Sequence, residues 1–136
     1  MVQVFVLTFN DFQVNTYLVC DPDGQCLIVD PAMYSSSEKE SFRNMVQKNN
    51  LLPVMCVTTH CHVDHVLGVH FIEKEYGLPV TIHPAGIGFL KNAVSYGTVF
   101  GFEMEEPGEP EQSITEGKDI IIGKTVLQVL ETPGHA

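Results

Sequence analysis

The sequence predicts a mixed α/β domain whose sheet layers need helices on their outer faces. Three observations predict it. The chain has 136 residues, enough for one core, and 44% of them are apolar, as in a globular protein. Short β-branched runs open the chain, helical and strand-like segments then alternate, and strand-like runs return near the end. Clusters of Gly, Pro, Asn and Asp punctuate these runs at turn-like intervals.

Residues 2–8 are β-branched and aromatic and read as a strand; residues 15–20 read as a second. Asp21-Pro22-Asp23-Gly24 is a strong turn signal, and residues 26–29 return as a third strand, ended by Asp30-Pro31. The opening is therefore an antiparallel hairpin or meander. A helix follows. Ser35 with Glu38 three positions on offers a capping box, and Phe42, Met45 and Val46 form one apolar face. Asn49-Asn50 ends it. Residues 54–58 are an apolar run, read as a buried strand, and a His-rich loop follows directly.

A second helix is expected from Asp64 or His65, with Val66, Val69, Phe71 and Ile72 on its apolar side. Gly77 suits its left-handed C-terminal position, and Pro79 prevents it from resuming. Residues 80–83 read as a short strand. Pro84 suits the first turn of a third helix, with Ile87, Phe89, Leu90 and Val94 apolar and Gly97 closing it. Residues 103–112 are acidic, carry Pro107 and Pro110, and read as an exposed loop. Residues 120–122 and 125–130 form a hairpin around Gly123-Lys124.

The formal net charge is −10, and the seven Lys and Arg are scattered. No nucleic-acid partner is expected, because phosphate contacts would be made against a repelling field. No run is long and apolar enough to span a membrane, so no membrane partner is expected. Met1-Val2-Gln3-Val4-Phe5 lacks the basic stretch and apolar core of a secretory signal, which points to a cytoplasmic protein. In that compartment Cys20 and Cys26 are expected as two buried thiols, although they could face each other across the hairpin. Cys56 and Cys61 match no zinc-ribbon spacing.

The chemistry lies in His60-Cys61-His62-Val63-Asp64-His65. Side chains alternate along an extended segment, so His60 and His62 point one way and Cys61 and Val63 the other. The backbone then turns into a helix, and Asp64 and His65 project from its first turn. One ion on His60 and His62, with a neighbour on Asp64 and His65, is the expected outcome. Imidazole and carboxylate donors suit zinc, with iron or manganese as options. Each ion needs a third ligand, and His135, after the tight Thr132-Pro133-Gly134 turn, is the candidate. His70 is expected to serve packing or solvent contact, and His83 to be an ordinary strand-end residue.

These motifs resemble those of metallo-β-lactamase superfamily hydrolases, most of all the glyoxalase II (hydroxyacylglutathione hydrolase) branch. Thr59-His60-Cys61-His62-Val63-Asp64-His65 matches the THxHxDH signature. Asn15-Thr16-Tyr17-Leu18-Val19 and Ile28-Val29-Asp30-Pro31 resemble the opening hairpin, and Thr132-Pro133-Gly134-His135 the start of the TPGHTPG motif. The resemblance implies an αββα sandwich, of which residues 1–136 form mainly the N-terminal half. It implies that His60, His62 and His135 hold a first metal, and that Asp64 and His65 contribute to a second. It further implies a metal-bound hydroxide as nucleophile, with Asp64 orienting it, and a support role for Asp30 beneath the metal loop.

Family members continue beyond the position matched by Ala136, with an Asp that bridges the metals and a last His. The resemblance therefore implies a chain cut short at its C-terminus, weak hydrolysis by this piece alone, and self-association through an uncovered sheet face. The expected substrate is a small thioester or related ester. The competing readings are a mononuclear iron persulfide dioxygenase, a lactamase or lactonase, and a non-catalytic metal-binding fragment; a flavodiiron enzyme fits less well because its motif resembles HxExD.

Overall fold

The computed structural model describes residues 1–130. His135 lies outside the described residues, so its expected role as a ligand does too. Five strands form one sheet in the order β1 (Gln3–Phe9), β2 (Val14–Cys20), β3 (Gln25–Val29), β4 (Leu52–Val57) and β5 (Val80–Thr81). The first three run antiparallel, as the turn signals predict; β3, β4 and β5 run parallel. Parallel neighbours need crossovers, and helices supply them. The helix α1 (Ser36–Lys48) joins β3 to β4, and α2 (Val63–Val66) with α3 (Val69–Tyr76) joins β4 to β5.

Alternation along the strands sets the two faces. Leu18, Cys20, Cys26, Ile28 and Cys56 point to the helical side, where Phe42, Val46, Val69, Phe71 and Ile72 bury against them. On the other face Leu27 and Val57 pack with Ile122 of a small hairpin, β6 (Ile120–Ile122) and β7 (Thr125–Leu127). Asp21 tethers that hairpin: its carboxylate accepts from the Lys124 amide at 3.2 Å and from the Thr125 hydroxyl. Val4 and Val6, on the same face of the edge strand β1, stay exposed.

The α1 capping box is present as expected, and Gly77 ends α3 with φ +68°. Two expected continuous helices are interrupted. The second breaks between α2 and α3 at Gly68, whose amide donates to the Pro31 carbonyl at 2.8 Å. A Cβ there would lie 2.0 Å from the Met33 sulfur, so only glycine admits this approach. The third divides into a 3-10 turn (Pro84–Gly86), α4 (Ile87–Lys91) and α5 (Ala93–Val99). At the break the Asn92 side chain donates to the Gly88 carbonyl at 2.7 Å, competing with the backbone ladder. Gly97 does not close this region: it sits inside α5 against Val63.

A second correction concerns Cys20 and Cys26, expected as separate thiols. They are directly opposed in the β2–β3 register and joined as a disulfide, with Cα atoms 4.2 Å apart. Such close opposition is what a non-hydrogen-bonded antiparallel pair provides. The compartment argument carries no information about this register.

Candidate metal centre

The His-rich loop leaves the C-terminal end of β4, beside the end of the parallel strand β3, where open α/β sheets place their ligand sites. Its side chains alternate as expected. Cys61 and Val63 are buried, while His60, His62, Asp64 and His65 are partly exposed on the other side. The His60 and His62 rings meet edge to face with centroids 4.8 Å apart, and the His60 and His65 centroids are 4.1 Å apart. Four of the five predicted ligands are thus brought together; the fifth, His135, is beyond the described residues. Phe89 of α4 adds an edge contact to the His62 ring at 5.3 Å.

Asp30 holds this cluster from beneath. Its backbone takes φ +56°, a conformation that Asp tolerates better than most residues, and its side chain is buried. One carboxylate oxygen accepts from the Thr59 amide at 2.7 Å, and the other from the Thr59 hydroxyl at 2.8 Å. The second oxygen also lies 3.1 Å from His65 Nδ1. Thr16 fixes the Asp30 backbone in turn: its hydroxyl donates to the Asp30 carbonyl at 2.6 Å and accepts from the Ala32 amide at 3.1 Å. The support role that the resemblance implied for Asp30 has this geometry behind it, and the turn role holds as well.

The relay sets the tautomers. The Thr59 hydroxyl donates to Asp30, so at 3.0 Å it accepts from Nδ1–H of His60. In that tautomer Nε2 is the His60 nitrogen with the lone pair, the form a metal ligand needs. Nδ1–H of His65 likewise faces Asp30, leaving its Nε2 toward Asp64, whose carboxylate oxygen is 3.7 Å away. Buried carboxylates commonly orient metal-ligating imidazoles this way. Two donors about 2.1 Å from one ion at a tetrahedral angle stand roughly 3.4 Å apart, so Asp64 and His65 fit a shared ion. Among the described residues no group of three or more such side chains closes around one ion. The donor set fits zinc or iron, and the cage needs a ligand from outside those residues.

Burial pushes the His65 pKa down, but the hydrogen bond and charge of Asp30, with the charge of Asp64, outweigh it and raise it above 6.5. Burial pushes the Cys61 thiol up, and its sulfur lies 3.5 Å from the Thr58 hydroxyl. A thiol is no ligand until it becomes a thiolate, so Cys61 is a packing group. His70 pairs with Glu105 at 2.6 Å, and His83 Nδ1 accepts from the Ala85 amide at 3.0 Å at the start of the 3-10 turn.

Sequence reasoning missed Asn10. Its side-chain nitrogen donates to the Asp64 carbonyl at 3.0 Å and to the Ala32 carbonyl at 3.1 Å. Asn10 lies in the short β1–β2 turn, and nothing local in the sequence pointed to a contact 54 positions away.

Comparison with known proteins adds the following. Residues 9–136 match the family model described as the metallo-beta-lactamase superfamily. A probable metallo-hydrolase, YqgX of Bacillus subtilis, is 29% identical over 91% of the chain and 57% of its own length. A hydroxyacylglutathione hydrolase of Wigglesworthia glossinidia brevipalpis is 30% identical over 88% of the chain and 38% of its own length. The chain thus spans from about two fifths to little more than half the length of these relatives. Among solved structures, the BLEG-1 B3 metallo-beta-lactamase superposes with a TM-score of 0.79 at 24% identity, over 98% of the chain and 63% of that protein. TTHA1623 in a di-iron-bound form gives 0.74 at 28% identity, over 85% of the chain and 56% of that protein.

Proposed function

The chain belongs to the metallo-beta-lactamase superfamily, and on that basis we propose that it acts in the metal-dependent hydrolysis of a small thioester or related ester, in the manner of glyoxalase II. The observation that carries this reading is the buried Asp30 carboxylate, which orients both His60, through Thr59, and His65. A buried carboxylate beside two neighbouring imidazoles is an arrangement that commonly orients metal-ligating histidines. The hydroxyacylglutathione hydrolase among the relatives supports the substrate class.

In this reading His60, His62 and His135 hold one ion, and Asp64 and His65 contribute to a second. Zinc is the proposed metal, with iron or manganese as options; the relative in a di-iron-bound form supports iron. When bound, such an ion lowers the pKa of its water to about 7 and polarises the scissile carbonyl. The chain's own residues do the rest. Asp30 and Thr59 keep the His60 ring in one tautomer. Asp64, whose carboxylate lies 3.7 Å from His65 Nε2, would orient the nucleophile.

Among the described residues no helix is long and apolar enough to cross a membrane. We place the protein in the cytoplasm; the Cys20–Cys26 pairing weighs against this, since a reducing compartment keeps such pairs as thiols.

The test is the metal content of the purified chain and of its His62→Ala variant, with hydrolysis of S-lactoylglutathione measured alongside. Bound zinc that is lost on substitution, with thioester cleavage that follows it, is the expected result. Metal without cleavage would leave a metal-binding fragment. A single iron with oxygen consumption on glutathione persulfide would make it a persulfide dioxygenase. No metal in either protein would overturn the reading.

A further inference from the structure

The helix that carries Asp64 and His65 cannot hold itself. It is four residues long, Val63–Val66, and its N-cap residue His62 makes no side-chain capping bond. Helices shorter than about 12 residues are marginal in water even for good helix formers. Its placement must come from outside, and Asn10 is positioned to supply it. The Asn10 side chain donates both amide hydrogens, one to the Asp64 carbonyl at 3.0 Å and one to the Ala32 carbonyl at 3.1 Å. Its Oδ1 accepts from the Phe12 amide at 2.8 Å, which closes the β1–β2 turn around it. Its own amide donates to Glu38 at 2.6 Å. The Glu38 carboxylate also takes the amides of Tyr34 at 2.8 Å and Ser35 at 3.2 Å. The α1 capping box thus extends through Asn10 to the first turn of α2. A left-handed φ of +55° fits this residue type.

We propose that Asn10 is a positioning residue for the candidate metal centre, clamping the Asp64–His65 turn to the loop after β3. The proposal deepens the metal-site reading and rests on it for function, but the clamp itself is testable without metal. Asn10→Asp keeps the left-handed backbone and the acceptor for Phe12 while removing both donors and setting a carboxylate against two carbonyls. Asn10→Gly keeps only the backbone. Amide hydrogen exchange would be followed at His65 and Gly68, which donate to the His62 and Pro31 carbonyls, and at the central strands β2 and β3. Loss of the clamp is expected to speed exchange at His65 and Gly68 by roughly threefold to tenfold in both variants, with the strands unchanged. Unchanged exchange at those amides, or an equal rise in the strands, would overturn the proposal, the latter because Asn10 would then serve general stability alone. Cobalt(II) titration supplies the second readout: wild-type chain that binds cobalt should bind it roughly tenfold more tightly than Asn10→Asp, the range for groups that orient ligands. Equal affinity would refute the positioning role, whereas failure of the wild type to bind cobalt would strike the metal reading and leave the exchange result to decide the clamp.

Discussion

Asp30→Asn isolates the group on which the candidate site rests. Asparagine keeps the volume and tolerates the left-handed backbone, so the substitution changes charge and hydrogen bonding alone. One side-chain oxygen can still accept from the Thr59 amide. The new amide nitrogen then faces the Thr59 hydroxyl, at 2.8 Å, and His65 Nδ1, at 3.1 Å, and both are donors. The Thr59 hydroxyl bond to this buried charge is worth about 1.5–3 kcal/mol, and losing the charge that faces His65 Nδ1 adds to it, for about 3 kcal/mol in all. Asp30 is only 3% exposed, so water offers little replacement. Against a total stability of about 5–15 kcal/mol this is a large fraction, equivalent to a fall in Tm of roughly 10 °C. Urea unfolding of the metal-free chain is the assay, repeated from pH 6 to 9. In the wild type the raised His65 pKa gives stability that is fully present below 6.5 and lost as pH rises through the folded value. Removing the Asp30 charge leaves burial, which lowers that pKa, as the main opposing influence. The fall in stability with rising pH should therefore flatten or reverse in the variant. A loss under about 1 kcal/mol, or an unchanged pH dependence, would refute the reasoning.

Three further outcomes are expected. The Thr125 hydroxyl and the Asp23 amide, against opposing burial, hold Asp21 at about 2, below its usual 3.8; its stabilising contribution is present above 3.8 and lost as pH falls through about 2, so the β6–β7 hairpin should loosen in that window, and NMR of Thr125 should show Asp21→Asn abolishing the transition. Gly68→Ala, whose Cβ would lie 2.0 Å from the Met33 sulfur, should cost about 1–3 kcal/mol in urea unfolding, and a change under about 0.5 kcal/mol would show that the loop yields freely. We also propose that the isolated chain self-associates through the sheet face bearing Val4 and Val6, which are 55% and 53% exposed; light scattering should show a mass above the monomer that Val4→Lys with Val6→Lys reduces, and a stable wild-type monomer would contradict this.

The parts legible in sequence are those whose physics is local. The α1 capping box needs residues three apart, and the Gly77 terminus needs one residue with φ above zero; both stand as expected. The His60-to-His65 loop was legible because four donors lie within six residues and alternation fixes their direction. The parts not legible depend on partners far along the chain. Asp30-Pro31 reads locally as a turn; the family resemblance implied support for the metal loop, and the fold supplies the partners, Thr59 and His65, 29 and 35 positions on. Gly68 looks like an ordinary helix residue until Pro31 and Met33 are packed against it. Asn92 breaks a helix through a side-chain bond that composition does not announce. Asp21 belongs to a turn motif, yet it also ties down a hairpin more than a hundred positions away. The Cys20–Cys26 pairing followed from strand register, and a prior about compartments pointed the wrong way.

This division bears on how the site works. The candidate ligands are local, but their geometry is not, because α2 is too short to fix it. Three remote groups do so: Asp30 from the end of β3, Asn10 from the β1–β2 turn, and the Pro31 carbonyl at Gly68. All three lie in the first 31 residues, on or beside the antiparallel strands, while the ligands they hold follow β4. The opening hairpin is therefore part of the candidate metal centre in a physical sense. A substitution at Asn10 or Asp30 should loosen metal binding while every ligand remains in place, and a substitution such as His62→Ala should weaken it while α2 stays protected from exchange. Observing both patterns in one set of variants would separate holding the metal from holding its ligands. Finding them inseparable would mean that the loop is ordered by the ion rather than by the fold.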